Sequence, residues 1–184
     1  MRHFTSIYIF CFVVAGLYSC KTSPTDFATK WTKEIKQKII TDASQQPDRS
    51  IFDSTYYRLT LYKGGTKLKH FMLRPKFDTA TGKIISVDTL ASIFYSTDQS
   101  FELVRELCPA IERSFEGVNY KGIGSVGLTE FKFCDGKIKE RGFRYGYESV
   151  GVWTKYDSTG KVIDEKDNGN IETLKKLRDV KYYR

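Results

Sequence analysis

Histidine is almost missing from this chain: two residues in 184, and one of them, His3, lies in the first segment. A site built from several imidazoles is excluded, and a Ser-His-Asp triad would have to use His70. No serine stands in a G-x-S-x-G context. Four prolines and 14 glycines are too few for a collagen-like rod or a disordered tail. No apolar run reaches the roughly 20 residues that a membrane-crossing helix needs. The +8 formal charge is not gathered into a Lys/Arg run, so nucleic acid is not expected as a partner. Aromatics are plentiful, with 13 Phe and 12 Tyr, which suits a β-rich fold. The length suits one domain.

The first segment reads as an export signal. Arg2 and His3 precede an apolar run, Ile7–Leu17, too short to span a bilayer and followed by small residues. Leu17-Tyr18-Ser19-Cys20 resembles a bacterial lipobox: an aliphatic residue at minus three, a small one at minus one, then the cysteine. The resemblance implies that residues 1–19 are a lipoprotein signal peptide. It implies that the Cys20 thiol takes a diacylglycerol and its freed amine an acyl group such as palmitate. The plainer alternative is an ordinary signal peptide in which Cys20 has no role. Arg2 is the one charge ahead of Cys20, so the exported chain stays basic and favours acidic partners. Lys21-Thr22-Ser23 carries no acid. By resemblance to lipoproteins with an acidic surface-export tag, that absence implies an outer-membrane protein facing the periplasm.

Residues 20–26 read as a tether. Phe27, Trp31, Ile35 and Ile39 recur every four residues and predict an amphipathic helix over roughly 26–43. It either packs on the domain or lies on the membrane surface. Residues 56–62 and 67–73 predict a hairpin turning at Lys63-Gly64-Gly65-Thr66. A second turn is expected at Asp78–Gly82, then strands at 83–88 and 90–95. Ser96 with Gln99 resembles a capping box, and Phe101, Val104, Leu107, Ile111 and Phe115 follow at helical steps. A long core helix is therefore expected over 97–116, kinked at Pro109 and stopped at Gly117. From Val118 the period becomes two, with turns at Asp135-Gly136 and Asp157–Gly160. A short last helix is expected after Asn170.

Gly142–Gly169 resembles the variant MORN repeat: Gly151-Val152-Trp153-Thr154-Lys155-Tyr156-Asp157, a Gly160-Lys161 turn, and a returning strand. Cys134-Asp135-Gly136-Lys137-Ile138 echoes its second half. Such hairpin units cannot bury their aromatics alone and must lean on a neighbour. The expected organisation is an α+β domain at 27–130, a MORN-like β-hairpin region at 131–169 packed on it, and a C-terminal helix or tail at 170–184. The fold class expected is α+β, a mostly antiparallel twisted sheet with a long packed helix. The resemblance implies an envelope protein, with toxin-neutralising partners among its relatives.

Trp153, Tyr145, Tyr147, Arg141 and Arg144 form an aromatic-basic set of the kind that anchors interfaces, although any strand must also turn half its side chains to the core. Cys108 and Cys134 form either a disulfide, which export permits, or two buried free thiols. Gly122-Ile123-Gly124-Ser125-Val126-Gly127 matches G-x-G-x-x-G, but the residues after it are β-like, and a dinucleotide loop must open a helix. Asp164, Glu165 and Asp167 lack the spacing and glycine turn of a calcium loop. No cofactor, metal or catalytic residue is expected. The function expected is non-catalytic binding of a protein partner, in concrete form immunity-like neutralisation of an envelope-delivered toxin. The alternatives are a structural envelope lipoprotein and an envelope hydrolase.

Overall fold

The structure, a computed structural model, describes residues 22–107 and 114–182. It opens with α1, Pro24–Ala43. Ser23 caps it, its Oγ accepting the Asp26 N–H at 3.1 Å, and Pro24 fills the first turn, where no N–H is needed. Three residues of the expected stripe, Trp31, Ile35 and Ile39, are buried together with Ala28, Thr32 and Ala43, while Phe27 packs partly buried at the edge of the core. The stripe packs on protein, as the first of the two readings had it.

Ten strands follow in the described residues: β1 (Arg49–Asp53), β2 (Arg58–Lys63), β3 (Thr66–Phe77), β4 (Ile84–Tyr95), β5 (Phe101–Glu106), β6 (Ser114–Tyr120), β7 (Gly124–Lys132), β8 (Ile138–Gly146), β9 (Glu148–Tyr156) and β10 (Val162–Asp167). Each pairs antiparallel with the next, giving one open sheet whose strand order is the chain order. A 3-10 helix, Ile171–Arg178, closes the described chain where the last helix was expected. The fold class is α+β: a twisted antiparallel sheet with one helix packed on it. Residues 131–169 run from the end of β7 through β10 within this same sheet.

The long helix at 97–116 is overturned. Residues 101–106 and 114–120 are β5 and β6, and residues 108–113, with Cys108, Pro109 and Ile111, lie outside the described residues. Phe101, Val104 and Leu107 fit a helical step, but Phe101 and Leu103 fit a step of two equally well. Those two are the fully buried ones. Ser96 caps no helix. Its Oγ accepts the Phe101 N–H at 2.9 Å across a turn in which Gln99 holds φ 58°. Gly117 lies inside β6 at a register shift.

The core lies between α1 and one sheet face. Trp31, Ile35 and Ile39 meet Phe101, Leu103, Val118, Val126, Phe143 and Val150, and Leu174 and Leu177 of the 3-10 helix close one end. Glu116 fastens the two layers: Lys36 Nζ reaches its Oε1 at 2.7 Å and Arg105 Nε donates to its Oε2 at 2.9 Å. Burial pushes its carboxyl up, but the Lys36 hydrogen bond with the charges of Lys36, Arg105 and Lys132 outweighs that and holds it below the ordinary range.

Candidate functional site

Because side chains alternate along a strand, residues between the core positions face away from α1. Four such positions stand directly opposite one another across four strands: Tyr95 on β4, Glu102 on β5, Asn119 on β6 and Ser125 on β7. The ladder ends at Gly146 on β8, which has no side chain to fill the space. The result is a cavity of about 650 Å³ on the helix-free face, with Lys67, Arg144 and Tyr147 on its walls. Ser125 Oγ donates to Asn119 Oδ1 at 3.1 Å, so this hydroxyl pairs with an amide and not with a base. Burial, with help from Glu102 and Tyr62, pushes the Tyr95 phenol up to about 12, so it stays a proton-bearing donor at neutral pH. Lys67 Nζ lies 5.7 Å from the Tyr95 ring centre.

Arg144 is the pivot of this face. Its neighbours across the strands are Gly127 and Ser149. Its guanidinium lies 5.4 Å from the Trp153 ring centre. Its Nε is buried with no hydrogen-bond partner, and it enters no ion pair among the described residues. It also lines a second cavity of about 370 Å³, with Glu140, Lys155, Lys166 and Trp153. The two cavities thus flank one stacked, unpaired cation, which is a ready partner for a carboxylate.

The five residues expected as one anchor set are divided between the two sheet faces. Arg144 and Trp153 are on the helix-free face. Trp153 is only 6% exposed, lies across Gly142, donates from Nε1 to the Phe143 carbonyl at 3.1 Å, and meets Phe131 at 6.4 Å between ring centres. It supports Arg144 from below and offers little surface to a partner. Tyr145 is on the α1 side, against the core, with Lys176 5.6 Å from its ring. Arg141 faces that side too, over Tyr156 at 5.8 Å. Tyr147, in the turn after Gly146, is fully exposed at the cavity rim. The strand period alone separates Arg144 from Tyr145. The same period puts Trp153, three residues on, on the side opposite Val150, and the register shift at Gly142 lets its ring lie across that glycine.

Cys134 is disulfide-bonded. Cys108 and Cys20 lie outside the described residues. His70 sits in β3, its Nδ1 2.9 Å from Thr60 Oγ1. Burial, with the charges of Arg58 and Lys67, holds its imidazole below the ordinary value. The glycine motif opens strand β7 and no helix, so it forms no dinucleotide loop. Asp164 pairs with Lys155 at 3.0 Å, Glu165 accepts from Thr154 Oγ1, and Asp167 accepts the Gly169 N–H, so the acidic cluster converges on no centre. Among the described residues no three His, Cys, Asp or Glu side chains are grouped to hold a metal.

Glu102 and Asn119 escaped the sequence reading because both fell at or beside the expected helix. The alternation of Phe101 and Leu103 with Glu102 was the signal available. No protein-family model, curated protein or solved structure matches the chain.

Proposed function

We propose that this chain is a lipid-anchored envelope protein that binds a protein partner through its helix-free sheet face. In concrete form it is an immunity-like neutraliser of a toxin delivered to the envelope. The observation that carries the reading is Arg144, a cation stacked on Trp153 between two cavities and without a counter-charge of its own. Evenly paired surface charges are solvated and inert. An unpaired guanidinium seated over an aromatic ring is what a partner's carboxylate can use. Tyr147 on the rim adds an exposed aromatic. The net charge, +8 in the full sequence and +7 once Arg2 leaves with residues 1–19, favours an acidic partner surface and speeds encounter with one.

The lipobox resemblance at Cys20 supplies the anchor, on the outer membrane facing the periplasm. Only Lys21, Thr22 and Ser23 separate Cys20 from α1, a reach of about 10 Å. The start of α1 then lies close to the lipid headgroups. Arg144 and Trp153, at the centre of this proposed surface, lie on β8 and β9, inside the segment 131–169 that resembles MORN repeats.

Pull-down with a toxin domain encoded beside this gene tests the reading. Binding is expected, and Arg144→Glu and Tyr147→Ala are expected to weaken it while the thermal melt is retained. Undiminished binding by both variants would remove this face from the interface. Labelling cells with a fatty-acid analogue is expected to mark the wild-type chain and not Cys20→Ser. Equal labelling of the two would remove the anchor.

A further inference from the structure

Among the described residues the sheet is open, so β1 and β10 each pair there on one side only. Natural sheets protect such edges with charge. β10 follows that rule: Asp164, Glu165 and Asp167 stand against one cation, Lys166, and two copies of it would oppose acid to acid. β1 does not follow it. Its five residues, Arg49-Ser50-Ile51-Phe52-Asp53, are all exposed, with Ile51 at 46% and Phe52 at 54%.

The order of those five residues is self-complementary. An antiparallel pairing of β1 with β1 of a second copy, centred on Ile51, sets Ile51 opposite Ile51. It sets Ser50 opposite Phe52 and Arg49 opposite Asp53, each of these twice. Neither Arg49 nor Asp53 has an ion-pair partner among the described residues. Arg49 lies over the Tyr62 ring at 4.5 Å, and Asp53 uses Oδ1 for the Thr55 and Tyr56 N–H groups, which leaves Oδ2 for a partner. Centring the pair on Phe52 would set Asp53 against Ile51 and match no charges. One register alone therefore satisfies both the apolar and the charged positions.

We propose that β1 is a homodimer edge: two copies pair antiparallel through Arg49–Asp53 about a two-fold axis, joining their sheets into one. The interface is isologous, so it closes at two copies and does not propagate. It is only five residues long, so the dimer is weak in dilute solution and forms where the copies are concentrated. The proposal concerns the sheet edge and not the Arg144 face, and it stands whether or not that face binds a protein.

Cysteine cross-linking of the full chain tests it, with products counted against the unsubstituted chain under the same oxidant. Directly opposed strand positions lie within disulfide reach. Ile51→Cys is expected to give a covalent dimer. Ser50→Cys and Phe52→Cys are each expected to stay monomeric alone and to cross-link when mixed. In the Ile51→Cys background, Arg49→Asp and Asp53→Arg are each expected to cut the yield by about tenfold, and mixing the two is expected to restore it. Recovery on mixing also shows that neither variant has lost its fold. Three results would each overturn the proposal: a monomeric Ile51→Cys, equal cross-linking at positions 50, 51 and 52, or preferential cross-linking of Ile51→Cys to Ile163→Cys, which would signal a head-to-tail β1–β10 contact.

Discussion

Thr32 Oγ1 of α1 accepts the backbone N–H of Leu128 at 2.8 Å, 96 residues further along the chain, while donating to the Ala28 carbonyl at 2.7 Å. The hydroxyl occupies the space a side chain on Gly127 would need: a Cβ there would lie 2.2 Å from Thr32 Oγ1, on a backbone with φ +78°. One bond seats the helix on β7 and dictates a glycine beneath it. Gly127→Ala is expected to cost about 2–4 kcal/mol, combining the left-handed backbone with the clash. Thr32→Val leaves the Leu128 N–H unpaired and is expected to cost about 1–3 kcal/mol, whereas Thr32→Ser keeps the acceptor and costs less. Urea unfolding of the three variants checks the order.

Acid should destabilise the fold in two stages, first through His70 within the sheet and then through Glu116 between helix and sheet. The imidazole of His70 is held below its usual 6.5, so the unfolded chain takes up that proton first. Stability is full above about pH 6.5 and declines as pH falls toward the folded value. His70→Gln is expected to flatten this first decline. The Glu116 carboxyl is likewise held below its ordinary 4.5, so its contribution is present above that value and is lost as pH falls through the lower folded one. Glu116→Gln is expected to remove the second decline and to lower stability at pH 7 by about 1.5–3 kcal/mol. Denaturant midpoints measured from pH 3 to pH 8 separate the two stages.

Trp153 and Arg144 should respond in opposite ways. Trp153→Ala empties a buried site and is expected to cost about 3–5 kcal/mol. Gly142→Ala drives a methyl to 2.3 Å from the same ring and is expected to destabilise too. Arg144→Met removes a buried, unpartnered Nε and is expected to leave the melting temperature unchanged or raised. A partner-binding loss in Arg144→Met at full stability would mark a residue kept for recognition. A large drop in its melting temperature would mark a structural arginine instead.

The Cys134 disulfide has a testable partner. Ser114 pairs with Lys132 and Phe115 with Glu106, so the ends of β5 and β6 sit beside the end of β7 that leads to Cys134. Peptide mapping without reduction is expected to join Cys108 to Cys134. Reduction is expected to cost about 2–4 kcal/mol. A Cys20–Cys134 link would exclude lipidation of the Cys20 thiol.

The helix α1 was legible because its apolar residues recur every fourth position, but its start was not: Ser23 and Pro24, the cap and first-turn proline, fell in the stretch read as a tether. The β2–β3 hairpin was legible because Gly64-Gly65 accept positive φ, 54° and 82°. The segment from Ser96 to Phe115 was not, since Phe101, Val104, Leu107, Ile111 and Phe115 satisfy a helical step and only tertiary packing chose between the periods. Within the site, Arg144 was visible as a basic residue among aromatics. Its position between two cavities depends on Ser125 facing Gly146 and on Trp153 crossing Gly142, pairings that strand register sets and local sequence does not reveal.

A sheet in which every strand pairs with its successor assembles from short loops, so each hairpin can zip up as soon as it exists, at a low relative contact order. α1 is the exception. It is the first element of the described chain to be made, and its seat on β7 is the Thr32–Leu128 bond, 96 residues later. During synthesis its apolar stripe must therefore stay uncovered until most of the meander has emerged. That interval is when the chain most needs a chaperone.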